Sequence, residues 1–210
     1  MTMITNHRSA RAPRGARALL LAALCAGGFG CASPSSRLGA DPLTEYAEAR
    51  SAAFEELERT TSIGDPIVRS AAERDLFRLM EQLTLRVPAD VEVRVASAAL
   101  ALRLSDNDRA RLELDRALTD QPGHLSAAVL QCRVLCLEGE LLGAREVIET
   151  AQMLNPDEPE LFLALAQVET LEGRFQEAQD LLRTALELGA DPERVEFDLQ
   201  VLNERRDAAR

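Results

Sequence analysis

The chain has 210 residues, of which 46% are hydrophobic but only 3% aromatic, and it carries a formal net charge of −11 with no lysine at all. Such an acidic chain is repelled by nucleic acid, which is not expected as a partner, and by anionic lipid surfaces, and it favours a basic partner or segment. It has two histidines, no Gly-rich phosphate loop, no Gly-x-Ser-x-Gly elbow and no metal-spaced histidine cluster. The groups that usually carry acid–base, acyl-transfer, phosphoryl and metal catalysis are therefore missing, and neither an enzyme activity nor a cofactor is expected.

Residues 1–30 read as an export signal rather than as part of the fold. The opening MTMITN resembles the start of beta-galactosidase, which leaves the signal behind it unchanged. Arg8, Arg11, Arg14 and Arg17 form a basic stretch, and residues 18–30 follow as an apolar run of 13 (30 − 18 + 1). A bilayer needs about 20 residues, so this run fits a signal peptide and not a membrane span. Its removal takes the charge from −11 to −15 (−11 − 4). Gly28-Phe29-Gly30-Cys31 resembles the box of bacterial lipoproteins, departing from it at Gly28, where an aliphatic residue is usual. The resemblance implies lipidation of Cys31, membrane attachment through that anchor and a short tether over 31–41. Ala32 next to Cys31 is similar to the outer-membrane-sorted members, which implies a lipid-anchored protein of the bacterial cell envelope facing the periplasm. Ordinary cleavage after Ala32, which would leave a soluble periplasmic protein, stays open.

Asp41-Pro42 is a helix start, with the aspartate as cap and the proline at the first helical position, and the apolar side of the helix (Leu43, Tyr46, Ala47, Phe54, Leu57) runs to about Thr60. Asp65-Pro66 repeats the signal for a helix that carries Ala72, Leu76, Leu79, Met80 and Leu83 to Val87. This hairpin, 42–90, is longer than the units that follow and lacks their alanines in register. It is expected to be a diverged cap whose second helix either stacks like those of the following units or stands apart.

From Val91 the chain repeats itself. Pro88, Pro122 and Pro156 are 34 apart (122 − 88, 156 − 122), and Ser105, Gly139 and Gly173 keep the same step. So do Ala110, Ala144 and Ala178, then Leu114, Ile148 and Leu182, then Ala117, Ala151 and Ala185. In residues 159–191 two apolar faces, one with Leu161, Phe162, Leu165, Ala166 and Val168 and one with Phe175, Ala178, Leu181, Leu182 and Ala185, flank Gly173 as a helical hairpin. A period of this size signals stacked helix pairs, each burying the face its neighbour leaves open. Three copies are placed at 91–124, 125–158 and 159–192. Asp191-Pro192 then starts a terminal capping helix over 193–210, in which Val195, Leu199 and Leu202 are expected to cover the last copy.

These residues resemble the tetratricopeptide repeat family: Phe162, Leu165, Ala166, Gly173, Phe175, Ala178 and Ala185 match its pattern in the last copy, and Cys132, Leu135, Gly139, Leu141, Ala144, Ala151 and Pro156 match it in the middle one. The first copy departs from it, with Arg94 in the aromatic place and Ser105 in the glycine place. The resemblance implies an all-α, right-handed superhelical solenoid of antiparallel helix pairs that binds a protein segment in the groove of its first helices. Carried over place by place, that groove holds Val95, Ala99, Leu102 and Arg103 from the first copy and Val129, Arg133, Cys136 and Leu137 from the second. The third copy contributes Leu163, Gln167, Thr170 and Leu171. The set is apolar with two arginines and lacks the lysines and asparagine with which chaperone-binding relatives clamp a terminal carboxylate. An apolar or amphipathic partner segment is expected, with self-filling by the helix over 42–60 left open.

Three further features are read structurally. Cys132 and Cys136, four apart on one helix, read as small hydrophobes, with an oxidisable pair as the alternative and no third ligand for a metal. His124 reads as an exposed turn residue. The pairs Arg109 with Glu113 and Arg145 with Glu149 read as a solvated face. The expected function is a non-catalytic adaptor or scaffold of the envelope. The alternative is an assembly subunit of an envelope complex working through other faces, and the oligomeric state is left open.

Overall fold

Three of the helices begin with aspartate followed by proline, and the cause is local. The computed structural model describes residues 41–209, so the signal peptide, Cys31 and most of the tether expected above lie outside the described residues. The helices among the described residues are α1 (Pro42–Thr61), α2 (Pro66–Arg86), α3 (Val91–Arg103), α4 (Asn107–Asp120), α5 (Leu125–Glu138), α6 (Leu141–Leu154), α7 (Pro159–Leu171), α8 (Phe175–Glu187) and α9 (Pro192–Ala208). At α1, α2 and α9 the proline ring presets the helical φ, and the aspartate before it accepts from an otherwise orphaned amide. Those amides are Leu43 N at 3.3 Å, Ile67 N at 2.9 Å and Glu193 N at 3.1 Å.

The turns inside the pairs repeat one geometry. Ser105, Gly139 and Gly173 follow α3, α5 and α7 with φ of 62°, 80° and 78°. The next amide then folds back onto the helix: Asp106 N to Ala101 O at 2.9 Å, Glu140 N to Leu135 O at 2.8 Å and Arg174 N to Glu169 O at 2.9 Å. This left-handed cap satisfies terminal carbonyls and reverses the chain so that the second helix lies back along the first.

Burial follows the 34-residue step beyond the three copies in both directions. On the first helices Val93, Ala127 and Leu161 are buried, and so is Val195 of α9; one face-turn later so are Leu100, Val134, Val168 and again Leu202. On the second helices the buried sets are Ala110, Leu114, Ala117; Ala144, Ile148, Ala151; and Ala178, Leu182, Ala185. The places 34 residues before the first of these sets hold Leu76, Met80 and Leu83 of α2, all three buried. The hairpin thus lacks the alanines but keeps the places, and α2 packs on α3 as α4 packs on α5. Alanine lets two backbones approach closely, whereas leucine and methionine fill a wider gap. Accordingly fewer residues of α1 and α2 come into close backbone approach than of the shorter α7 and α8.

Two polar residues have roles unlike those read from the sequence. Glu113 is not on a solvated face: it is 1% exposed, accepts from Arg94 Nη1 at 3.0 Å and has Arg109 and Arg116 within 3.5 Å. Arg94, in the aromatic place of the first copy, is buried with it and also donates from Nε to Pro88 O at 2.8 Å. A buried ion pair here replaces an aromatic plug. His124 caps α5, its Nδ1 accepting from Ala127 N at 3.2 Å while Nε2 faces Glu92 at 3.1 Å, so it binds two copies together. Arg145 turns chiefly away from Glu149, at 4.0 Å, to the buried Glu169 and to Glu172 at the end of α7.

Candidate partner-binding groove

The curvature of the stack follows from which helices touch. α3 packs on α5, α5 on α7 and α7 on α9, whereas α4, α6 and α8 have no comparable packing on one another. First helices that meet directly lie on the inside of a bend, with the second helices splayed outside. The inner face therefore belongs to α3, α5, α7 and α9.

Along that face the side chains differ in how far they reach into the open. In α3, Val95 is buried against Ala98, Ala110 and Leu114, Ala99 and Leu102 are half-buried, and Arg103 is exposed. The guanidinium of Arg103 lies 3.6 Å from the buried Glu73 of α2. In α5, Val129 and Cys136 are half-buried against α7, while Arg133 and Leu137 are exposed, Leu137 to 62%. In α7, Leu163 is buried beneath the strip with Leu182, Val195 and Leu202. Thr170 is buried with its hydroxyl donating to Ala166 O at 2.8 Å, and Gln167 and Leu171 are half-buried.

A hollow of about 220 Å³ opens between α7 and α9, lined by Gln167, Thr170 and Leu171 on one side and Phe197, Asp198, Val201 and Arg205 on the other, over Ala166 and Leu182. Phe197 is 61% exposed. Three of these α9 residues escaped the sequence reading, yet the signal was there: Phe197, Val201 and Arg205 are Leu163, Gln167 and Leu171 advanced by 34. The helix that covers the last copy also extends its inner face. α1 does not fill this strip. It packs on α2 and reaches the head of α3, where Tyr46 Oη donates to Asp90 at 2.8 Å and Arg50 Nε at 2.7 Å.

The two thiols divide between core and groove. Cys132 is buried among Ala128, Leu135, Ala144 and Leu165, with its Sγ 4.0 Å from Ala164 O, and Cys136 reaches the inner face. Both are free thiols. The interaction with Cys136 together with burial keeps the Cys132 thiol protonated well above the usual range, and Cys136, which receives that S–H, is lowered. Among the described residues no cluster of three or more His, Cys, Asp or Glu could hold a metal ion.

Helix pairs in 34-residue register, left-handed caps at the pair turns and an inner face built only of first helices define a solenoid of the tetratricopeptide type. The comparisons agree: a profile of the tetratricopeptide repeat family matches residues 135–196. Residues 41 to the end of MamA from Desulfovibrio magneticus RS-1 superpose with a TM-score of 0.60 at 18% identity, covering 80% of this chain and 87% of that one. A thermophilic tetratricopeptide repeat protein of Thermus thermophilus does so with 0.59 at 22% identity, covering 71% and 80%. A tetratricopeptide repeat protein from Parabacteroides merdae gives 0.60 at 12% identity, covering 79% and 61%. No curated protein matches in sequence. At these identities the likeness shows the fold.

Proposed function

We propose that the protein is a non-catalytic protein–protein interaction scaffold whose inner face, from α3 to α9, receives a segment of a partner. The observation that carries this reading is a strip of apolar side chains that the helices among the described residues leave uncovered, including Leu137 and Phe197, set in a rigid frame of paired helices. The fold is a general protein-binding scaffold, which supports the reading without naming the partner. The basic stretch and apolar run of residues 1–30, followed by Gly28-Phe29-Gly30-Cys31, support a station in the bacterial cell envelope, anchored by acyl chains on Cys31 at the outer membrane and facing the periplasm. Partners cross-linked to the full chain in the native host should be lost with Leu137→Asp combined with Phe197→Asp. Retention of the same partners by that variant would remove docking at the inner face. Mass spectrometry of the mature N-terminus decides lipidation, since an unmodified terminus at Ser33 would mean ordinary cleavage.

A second reading, assembly through other faces, has its own observation. Met153 and Leu154 at the end of α6 and Leu188 after α8 leave apolar side chains in water on the second-helix side. Light scattering tests it, because a mass that stays monomeric over a hundredfold concentration range is incompatible with self-assembly.

A further inference from the structure

The inner face reverses the charge of the rest of the molecule. The chain has 35 carboxylates against 24 arginines. Yet the sixteen inner-face places, four each on α3, α5, α7 and α9 in the 34-residue register, hold three arginines (Arg103, Arg133 and Arg205) and one carboxylate, Glu204. Glu204 accepts from Gln200 Nε2 at 2.9 Å, and Arg103 lies against Glu73. Asp198, outside those sixteen places but in the wall of the α7–α9 hollow, is buried and already accepts from Arg194 Nε at 3.2 Å, which leaves Arg205 as the hollow's unmatched charge. Arg133 and Arg205 enter no ion pair among the described residues. By contrast, the arginines of α4, α6 and α8 are matched, among them Arg109 to Glu81 at 2.8 Å, Arg111 to Glu140 at 3.0 Å and Arg145 to Glu172 at 2.5 Å, whereas Arg69 and Arg74 at the far end of the stack, on α2, enter no ion pair among the described residues.

Each unmatched cation stands beside an apolar contact. Arg133 is one turn before Leu137 on the same face of α5, and Arg205 is one turn after Val201 at the rim of the α7–α9 hollow, which Phe197 and Leu171 also line. A guanidinium next to an apolar wall is matched by a carboxylate whose neighbouring side chain is apolar, through a two-pronged hydrogen bond that a lysine or arginine on the partner would turn into repulsion.

We infer that the inner face takes an acidic, apolar segment of a partner protein, although the protein as a whole is acidic. The inference rests on the docking role proposed above and fixes the chemistry of its occupant. Arg133 and Arg205 stand on first helices two steps apart, so at the usual 8–10 Å between packed helices they are roughly 20 Å apart. A segment in extended conformation therefore places its two carboxylates about five or six residues apart, with Leu, Ile or Phe between them to enter the hollow. The acidic outer surface gives the selectivity, since it deters the same segment from binding elsewhere.

The test is a random dodecapeptide phage library selected on the immobilised full chain, followed by fluorescence polarisation with the synthesised winners. Winners should combine Asp or Glu with Leu, Ile or Phe. Their affinity should fall about tenfold or more with Arg133→Glu and Arg205→Glu together, less with the two glutamine replacements, and should weaken as salt is raised. Leu137→Asp with Phe197→Asp should abolish binding. Winners that are neutral or basic, and that depend on Leu137 and Phe197 but not on the arginines, would leave docking at this face standing and overturn the acidic occupant. If no winner responds to Leu137→Asp with Phe197→Asp, both readings fall.

Discussion

Arg94 and Glu113 show how one residue can replace a family feature. An aromatic side chain would fill the space at the head of the first copy by area alone; the chain instead buries a guanidinium and a carboxylate that compensate each other. Removing the Glu113 charge leaves the buried Arg94 with only the half-exposed Asp120, 4.0 Å away, and the loss of a buried partner costs roughly 3–5 kcal/mol, while replacing both with apolar residues of similar volume is close to neutral. Glu113→Gln, which keeps the shape, should therefore lower the urea-denaturation stability by about 3 kcal/mol. The pair Arg94→Met with Glu113→Leu should lose much less, and a loss under about 1 kcal/mol for Glu113→Gln alone would mean that Asp120 takes over as the counter-charge of the arginine. Ser105 is the opposite case, a place where the chain tolerates strain. At φ 62° it occupies the region that Gly139 and Gly173 fill in the other copies. The left-handed region costs an L-residue about 1–2 kcal/mol, against about 0.5–1 kcal/mol for the extra entropy glycine loses on folding. Ser105→Gly should thus raise stability by about 0.5–1 kcal/mol, visible as a higher thermal midpoint. A drop would mean that the serine hydroxyl supports the turn.

At the scale of the element, α1 is joined to the stack by polar contacts that can be titrated. Burial raises the carboxyl of Asp90, but the Arg50 and Tyr46 donors and the Val93 amide outweigh it and hold the group below its ordinary value. Tyr46 goes the other way, pushed up to about 12 by burial first, then by its hydrogen bond to Asp90 and by that carboxylate's charge. A raised value in the folded state means stability that is complete below about pH 10, the ordinary tyrosine value, and is lost as pH climbs towards 12. Tyr46 is the chain's one tyrosine and there is no tryptophan, so ultraviolet absorbance reads its ionisation directly. The expected midpoint is near 12 in the folded protein and near 10 in urea. Tyr46→Phe should cost about 1 kcal/mol at neutral pH and remove the alkaline loss, whereas a folded-state midpoint near the ordinary value would mean that α1 is not docked through this contact. How much of this was legible in the sequence depends on whether the pattern was local. The Asp-Pro starts, the turn glycines and the alanine places are fixed by neighbours within one helix pair, and they read correctly. Leu76, Met80 and Leu83 keep the step but were disguised by size, since a search for alanine passes over leucine and methionine at the same places. His124 as a cap and Glu113 as a buried anchor depend on partners 32 and 19 residues away, and single-chain spacing carries no trace of that. Leu163 and Val95 sit at the inner-face register but turn into the core, because a place on a helix face sets direction and leaves depth to the neighbouring helix.

For the whole molecule, the decisive element is the one that looked like a mere end cap. α9 keeps the step of the first helices at Val195 and Leu202, but it has Glu196 in the aromatic place and Gln200 in the small-residue place, and the family profile ends at residue 196, in its first turns. Without α9 the face of Leu163, Ala178 and Leu182 would lie open, and the α7–α9 hollow would lose its Phe197, Val201 and Arg205 wall. In a stack where each unit touches only its neighbours, stability is the sum of unit and interface terms, so the effect of losing an end falls off with distance from it. Ending the chain after Asp191 removes the burial of two full-sized apolar side chains, Val195 and Leu202, worth about 1.5–3 kcal/mol each, together with the shelter they give to α7 and α8. The truncated chain should lose roughly 3–6 kcal/mol, and its first amides to exchange should be those of α7 and α8, while α3 and α4 keep their protection. Leu202→Ala should reproduce about half of the loss with the hollow still formed, which separates the covering role of α9 from its place in the groove. Uniform loss of protection from α1 to α8 on truncation would instead mean that the stack unfolds as a single cooperative body, and that α9 stabilises every repeat rather than the last.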